Sequence, residues 1–123
     1  PQRLHVILHH GSHQSLHVIH TLLMMWQHLN PAAWYIIEDL QTSYWPSCGG
    51  RIDERNSALT SMGFLKTLVD CLNWQEVHQP TYQPTDFDLT LVSIHFYHNM
   101  CFMQKGKNDK GSNLVNNNRI SGI

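Results

Sequence analysis

An α/β fold is predicted, with elements in the order β-α-β-α-β-β and a terminal antiparallel hairpin. Three observations predict it. Short apolar runs rich in β-branched residues alternate with stretches of helical apolar spacing. The run at residues 4–8 and the run at residues 33–37 are separated by helix-length sequence, which makes a βαβ unit with parallel strands. The last two runs, residues 89–97 and Met100–Lys105, are joined through His98-Asn99. So short a connection makes them antiparallel, because a parallel pair needs a long crossover.

Taken in order, Val6 and Ile7 give the first run its strand character. Gly11-Ser12 then forms a turn, and Ser12 is a candidate cap for the next helix. Over residues 14–29, Leu16, Ile19, Leu22, Leu23, Trp26 and Leu29 fall at helical spacing and define one broad apolar face. Asn30-Pro31 is expected to end that helix, since a residue before proline avoids the α region. After the second strand, residues 40–57 read as a long irregular loop with Pro46 and Gly49-Gly50, the kind that serves as a lid or substrate loop. A second helix is expected over residues 58–73, with Leu59, Met62, Leu65, Leu68, Val69 and Leu72 inward and Asn73 as its stop. Residues 79–86 read as a proline-bearing loop. The polar stretch 106–123 reads as a loose surface extension, leaving residues 1–105 as one partial domain.

The 123 residues suffice for one small domain with a core, and 41% apolar against 14% charged content marks it as globular. A formal charge of -1 argues against a broad nucleic-acid-binding face. No apolar run reaches the length of a membrane span. Cys48, Cys71 and Cys101 form no CxxC motif, so neither a disulfide framework nor a zinc ribbon is indicated, and a cytoplasmic location is expected.

The candidate chemistry lies at two strand ends. The second strand stops abruptly at Glu38-Asp39, and the first stops in a turn carrying His10 and His13. Ligands of open α/β sheets sit outside the carboxyl ends of the strands, so acids and imidazoles would share one rim. Such a rim suits a metal ion and acid–base work; two solvated acids and a helix-start histidine bonded to nearby backbone are the plainer alternatives. His9, His10, His13, His17 and His20 also form a cluster able to take up zinc or nickel adventitiously, and HQSLH has the i,i+4 histidines of a zinc helix without its glutamate. The methionines, Trp26, Trp34 and Trp74 read as packing residues.

Several motifs point more narrowly. LHHGSHQSLHVIHTLL resembles the DDGSH-x3-H turn and helix of macrolide sugar O-methyltransferases, within the class I S-adenosylmethionine-dependent methyltransferases. YIIEDLQTSYW resembles their IEDLxTSYW segment, and FLKTLVDCLNW and IHFYHNMCFMQKG resemble their later helix and terminal hairpin. The resemblance implies the C-terminal half of a Rossmann-like methyltransferase sheet. It implies S-adenosylmethionine as donor, a divalent ion, usually Mg2+, and a small-molecule glycoside as acceptor. It places metal ligands at Glu38, Asp39 and His10, the general base at His13, and Tyr44 and Trp45 in a sugar pocket. It assigns no donor-binding residue. HHGSH stands where the family has DDGSH, and imidazole in place of carboxylate favours a softer ion than magnesium. NPAAW lacks the glycines common at that turn in the family. The glycine-rich strand–turn–helix loop is expected to lie in a missing N-terminal half. The first strand's outer edge would then be unpaired, which favours a homo-oligomer or a partner segment.

Overall fold

The computed structural model describes residues 4–115 and 119–120. Its elements are β1 (Leu4–His9), α1 (Ser15–Met25), β2 (Leu29–Ile37), α2 (Ser61–Thr67), α3 (Asp86–Thr90), β3 (Leu91–Tyr97), β4 (Met100–Lys105), β5 (Leu114–Val115) and β6 (Arg119–Ile120). The sheet runs β1-β2-β4-β3, and β5 pairs with β6 apart from it. β1 and β2 are parallel, and β4 is antiparallel to both of its neighbours. The expected βαβ unit and terminal hairpin are therefore present. α3 is an additional helix, in sequence read as the end of a loop and the start of a strand. Its capping box, Thr85 with Asp88, binds both backbone amides reciprocally.

The α1 segment departs from its predicted face. The inward residues are Ser15, Val18 and Leu22, whereas Leu16 is 61% and Leu23 49% exposed. Both faces of this helix are apolar, so periodicity alone does not decide which one meets the sheet. A single 3₁₀ turn, Trp26–His28, follows, and β2 starts at Leu29. Asn30-Pro31 thus lies inside a strand. The register explains how: Leu4 pairs with Leu29 but Val6 with Trp34, so β2 carries extra residues there. At such a bulge the missing proline N–H costs no ladder bond. Ala32, in this bulge, has a left-handed backbone with φ 70°.

The second predicted helix is shorter as α-helix than expected. α2 covers seven residues and continues as a 3₁₀ segment, Leu68–Glu76, with Asn73 non-helical at φ -114°, ψ 19°. Leu65 and Leu68 are buried, while Leu59 and Val69 are exposed, the tighter 3₁₀ winding having turned Val69 outward. Between β2 and α2, two 3₁₀ turns, Leu40–Tyr44 and Pro46–Cys48, give the expected loop local order.

The core lies on one face of the sheet. Tyr35, Ile37, Cys101 and Met103 are buried there under Trp26, Leu22 and Leu65. Trp26 stacks on Phe87 at 4.9 Å, and its indole N–H donates to Thr90 Oγ1 at 2.9 Å. On the opposite face Val6 and Leu8 are more than half exposed, and Trp34, His95, Tyr97 and Phe102 line an open groove. Beyond β4 the chain remains tied to the domain: Asn108 is buried and its side-chain amide donates to Cys71 O at 3.0 Å.

Candidate metal and acid–base site

Register creates this site. His9 pairs with Ile37 as the last step of the parallel ladder, so the residues that follow, His10 and Glu38, emerge side by side. His10 Nδ1 lies 3.2 Å from Glu38 Oε2, a hydrogen bond that the Nδ1–H tautomer donates. Asp39 joins them by a backbone device. Adjacent side chains of an extended strand point to opposite faces. Asp39 instead has φ 58°, ψ 39°, in the left-handed region that Asp tolerates better than most residues. The result is that ligand atoms of His10, Glu38 and Asp39 all lie within 4.8 Å of one another. Among the described residues this is the cluster of three metal-ligating side chains.

The loop holding Asp39 is tied from three sides. Leu40 N–H donates to Asn99 O at the tip of the β3–β4 hairpin, 3.0 Å away. Thr42 Oγ1 donates to Asp39 O, and Gln41 Nε2 to Asp39 Oδ1. Three hydroxyls from three elements then cap the first three amides of α2: Ser15 Oγ accepts from Ser61 N, Ser43 Oγ from Met62 N, and Thr60 Oγ1 from Gly63 N. Gly63 is required because a Cβ there would lie 1.9 Å from Ser57 O, and Gly50 because a Cβ would lie 2.4 Å from the Ser43 backbone. These close approaches pin the loop against α1 and α2.

His13 lines the same small cavity as His9, His10, Glu38 and Asp39. Its free volume of about 10 Å³ is the size of one water or ion. Ser12, Thr42 and Ser61 also line it, and sequence reading did not single out the last two; neighbouring hydroxyls carry no local signal of convergence. Ser12 does not cap α1, whose N-cap is Gln14; its hydroxyl accepts from Gln14 N and pairs with His17 Nδ1 at 2.8 Å. Tyr44 is half-buried and Trp45 is 51% exposed, on the turn after the acids and outside the cavity lining. His17 and His20 are exposed on α1 and stand apart from the three-residue cluster.

Burial, reinforced by the charges of His10 and His13, pulls His9 below the ordinary imidazole value, although the Ser12 backbone carbonyl, accepting from the ring, opposes the shift. His9 Nε2 is buried with no hydrogen-bond partner. The two carboxylates suit a hard cation such as Mg2+, which takes oxygen ligands in octahedral geometry. The imidazole does not; the mixed set fits a borderline divalent ion better. Cys71 and Cys101 are not candidates for reactive thiols, since burial pushes each up to about 12.

No protein-family model matches the chain. It is 38% identical over 107 residues to mycinamicin VI 2''-O-methyltransferase of Micromonospora griseorubida, a match covering 86% of this chain and 27% of that protein. It is 39% identical, with the same coverage, to demethylmacrocin O-methyltransferase of Streptomyces fradiae. Among solved structures, MycE methyltransferase from the mycinamycin biosynthetic pathway, in complex with Mg and SAH, superposes with a TM-score of 0.85 at 37% identity, over 89% of this chain and 28% of that one. Its complex with Mg, SAH and mycinamycin VI gives a TM-score of 0.82. The chain thus spans about a quarter of the length of the relatives it matches. No helix among the described residues is long and apolar enough to cross a membrane. Over most of its own length and about a quarter of theirs, the chain is homologous to the macrolide sugar O-methyltransferases.

Proposed function

We propose that this chain forms the acceptor-side part of an S-adenosylmethionine-dependent sugar O-methyltransferase, built on the rear half of a Rossmann-like sheet. The observation that carries the reading is the convergence of His10, Glu38 and Asp39 at two adjacent strand ends, beside His13. His10, Glu38 and Asp39 would hold a divalent ion, which when bound supplies Lewis-acid polarisation of an acceptor hydroxyl. An imidazole nitrogen of His13, which lines the same cavity as the three ligands, takes the proton of that hydroxyl. The freed oxygen lone pair forms the new C–O bond to the donor methyl, and the S–C bond breaks with its electrons returning to sulfur as S-adenosylhomocysteine. Tyr44 and Trp45 bind the sugar from the turn after the acids. The buried hydroxyls behind that turn orient it, so the chain's contribution is placement and electrostatics.

No residue of this chain is assigned to the donor. In this reading a preceding half of a longer chain, a second copy or a partner segment binds the donor. A non-catalytic remnant is the second reading, and His10, an imidazole in a site where Mg2+ would take an oxygen donor, is the observation that favours it. Incubating the sized full-length protein, together with any partner segment, with S-adenosylmethionine, a divalent ion and deoxysugar glycosides discriminates the two. S-adenosylhomocysteine release that is lost in His13→Ala supports the transferase. No release and no saturable donor binding by a folded sample supports the remnant.

A further inference from the structure

We propose that the His10–Glu38–Asp39 rim selects a borderline divalent transition ion, such as Zn2+, Co2+ or Ni2+, over Mg2+, with His10 as the discriminating ligand. The inference rests on the proposed function's use of this rim as the metal site, and it names the ion that site takes. It parts from the Mg recorded with the MycE methyltransferase.

Two independent features carry it. The first is the donor set. Ligand atoms sharing one ion at bonds of about 2.1 Å lie roughly 3–4 Å apart. The His10–Glu38 pair is already at 3.2 Å, and the full set spans at most 4.8 Å, close to the spacing of one coordination shell. One of its three donors is an imidazole nitrogen. Mg2+ takes oxygen donors and keeps its waters, whereas imidazole suits zinc, nickel and cobalt. The His10 side chain is 70% exposed and that of Glu38 34%, which leaves open positions for solvent or an acceptor. The second feature is a buried nitrogen beside the cluster, outside the three donors that converge. His9 lines the same cavity, and its Nε2 is buried without a hydrogen-bond partner. A buried polar atom of this kind calls for a partner, and a water carried by an ion in the cavity supplies one.

Co2+ reports the ligand field directly, so the test is a Co2+ titration of the metal-free full chain, followed by visible absorption and competed with Mg2+. The expected result is saturable d–d absorption at about one ion per chain, not displaced by about a 100-fold excess of Mg2+. In His10→Asp the Co2+ affinity falls and the ratio of Co2+ to Mg2+ affinity drops at least about tenfold. A His17→Ala/His20→Ala control keeps the wild-type spectrum. Circular dichroism verifies that each variant is folded; the exposed position of His10 makes this the expected outcome. Displacement of Co2+ by comparable Mg2+ overturns the inference. So does an unchanged spectrum in His10→Asp, or loss of the spectrum in the His17/His20 control, which identifies adventitious histidine binding. If Mg2+ binds preferentially and its binding is lost in Glu38→Ala, only the inference falls and the proposed function stands. If no ion's binding responds to Glu38→Ala or Asp39→Ala, both fall.

Discussion

Removing the Ser15 hydroxyl tests the packing that holds the site loop in place. Ser15 is 1% exposed, and its Oγ accepts from Ser61 N at 3.1 Å, with Ser61 equally buried. In Ser15→Ala the amide of Ser61 is left without an acceptor and out of reach of water. Leaving a buried donor unpaired costs about 1–3 kcal/mol. Alanine's better helix propensity at the first turn of α1 returns about half a kcal/mol. The expected net loss is about 1.5 kcal/mol, or roughly 6 °C in Tm for a domain near this size. Ser43→Ala is expected to cost about 2 kcal/mol, because Ser43 Oγ serves both Met62 N and Ser61 Oγ. Ser47→Ala, on the exposed side of the same loop, should stay within about 0.5 kcal/mol of the parent. Urea unfolding at fixed pH reads all three from the midpoint at constant slope. A Ser15→Ala variant indistinguishable from Ser47→Ala would refute the claim that these hydroxyls cap α2.

Three further outcomes are expected. Ala32→Gly relieves a left-handed alanine, worth about 1–2 kcal/mol, against about 0.5–1 kcal/mol of added unfolded-chain entropy. Urea unfolding should therefore show a small stabilisation, while Ala32→Val should lower the midpoint. His9 titrates below its ordinary value of 6.5 in the folded chain, so the unfolded chain binds the proton more readily. Its contribution to stability is intact above about pH 6.5 and falls as pH drops from there towards the folded value. His9→Gln should flatten that part of the pH–stability profile; identical profiles would count against burial of the ring. Cys101 is fully buried and its thiol is raised to about 12, so a thiol reagent at mild alkaline pH should modify it only after denaturant is added.

Much of the architecture is written locally. Val6-Ile7 and the run before Glu38 read as strands because their apolar residues are contiguous and β-branched, and His98-Asn99 allows only a hairpin. α3 carries a local signal too, Thr85 followed three residues later by Asp88, but the prolines before it favour a loop equally. The candidate site was legible as residue types at strand ends. His10, Glu38 and Asp39 do converge, while Tyr44 and Trp45 lie off the cavity.

What composition and spacing determined by themselves was the order of the four sheet strands, the two helical segments between them and the chemistry available at two strand ends, but not α3, β5 or β6. Local propensity and short connections are properties of neighbouring residues, so they survive without the rest of the fold. Only the tertiary structure decided which apolar face of α1 turns inward, since Leu16 and Val18 are equally apolar and the choice belongs to the sheet. It also decided the parallel register, which sets His10 beside Glu38 through a bulge at Pro31 and Ala32, and the left-handed turn that brings Asp39 to them. Pairing between strands is separated by more than twenty residues of chain, and a slip of one residue would move every side chain to the other face.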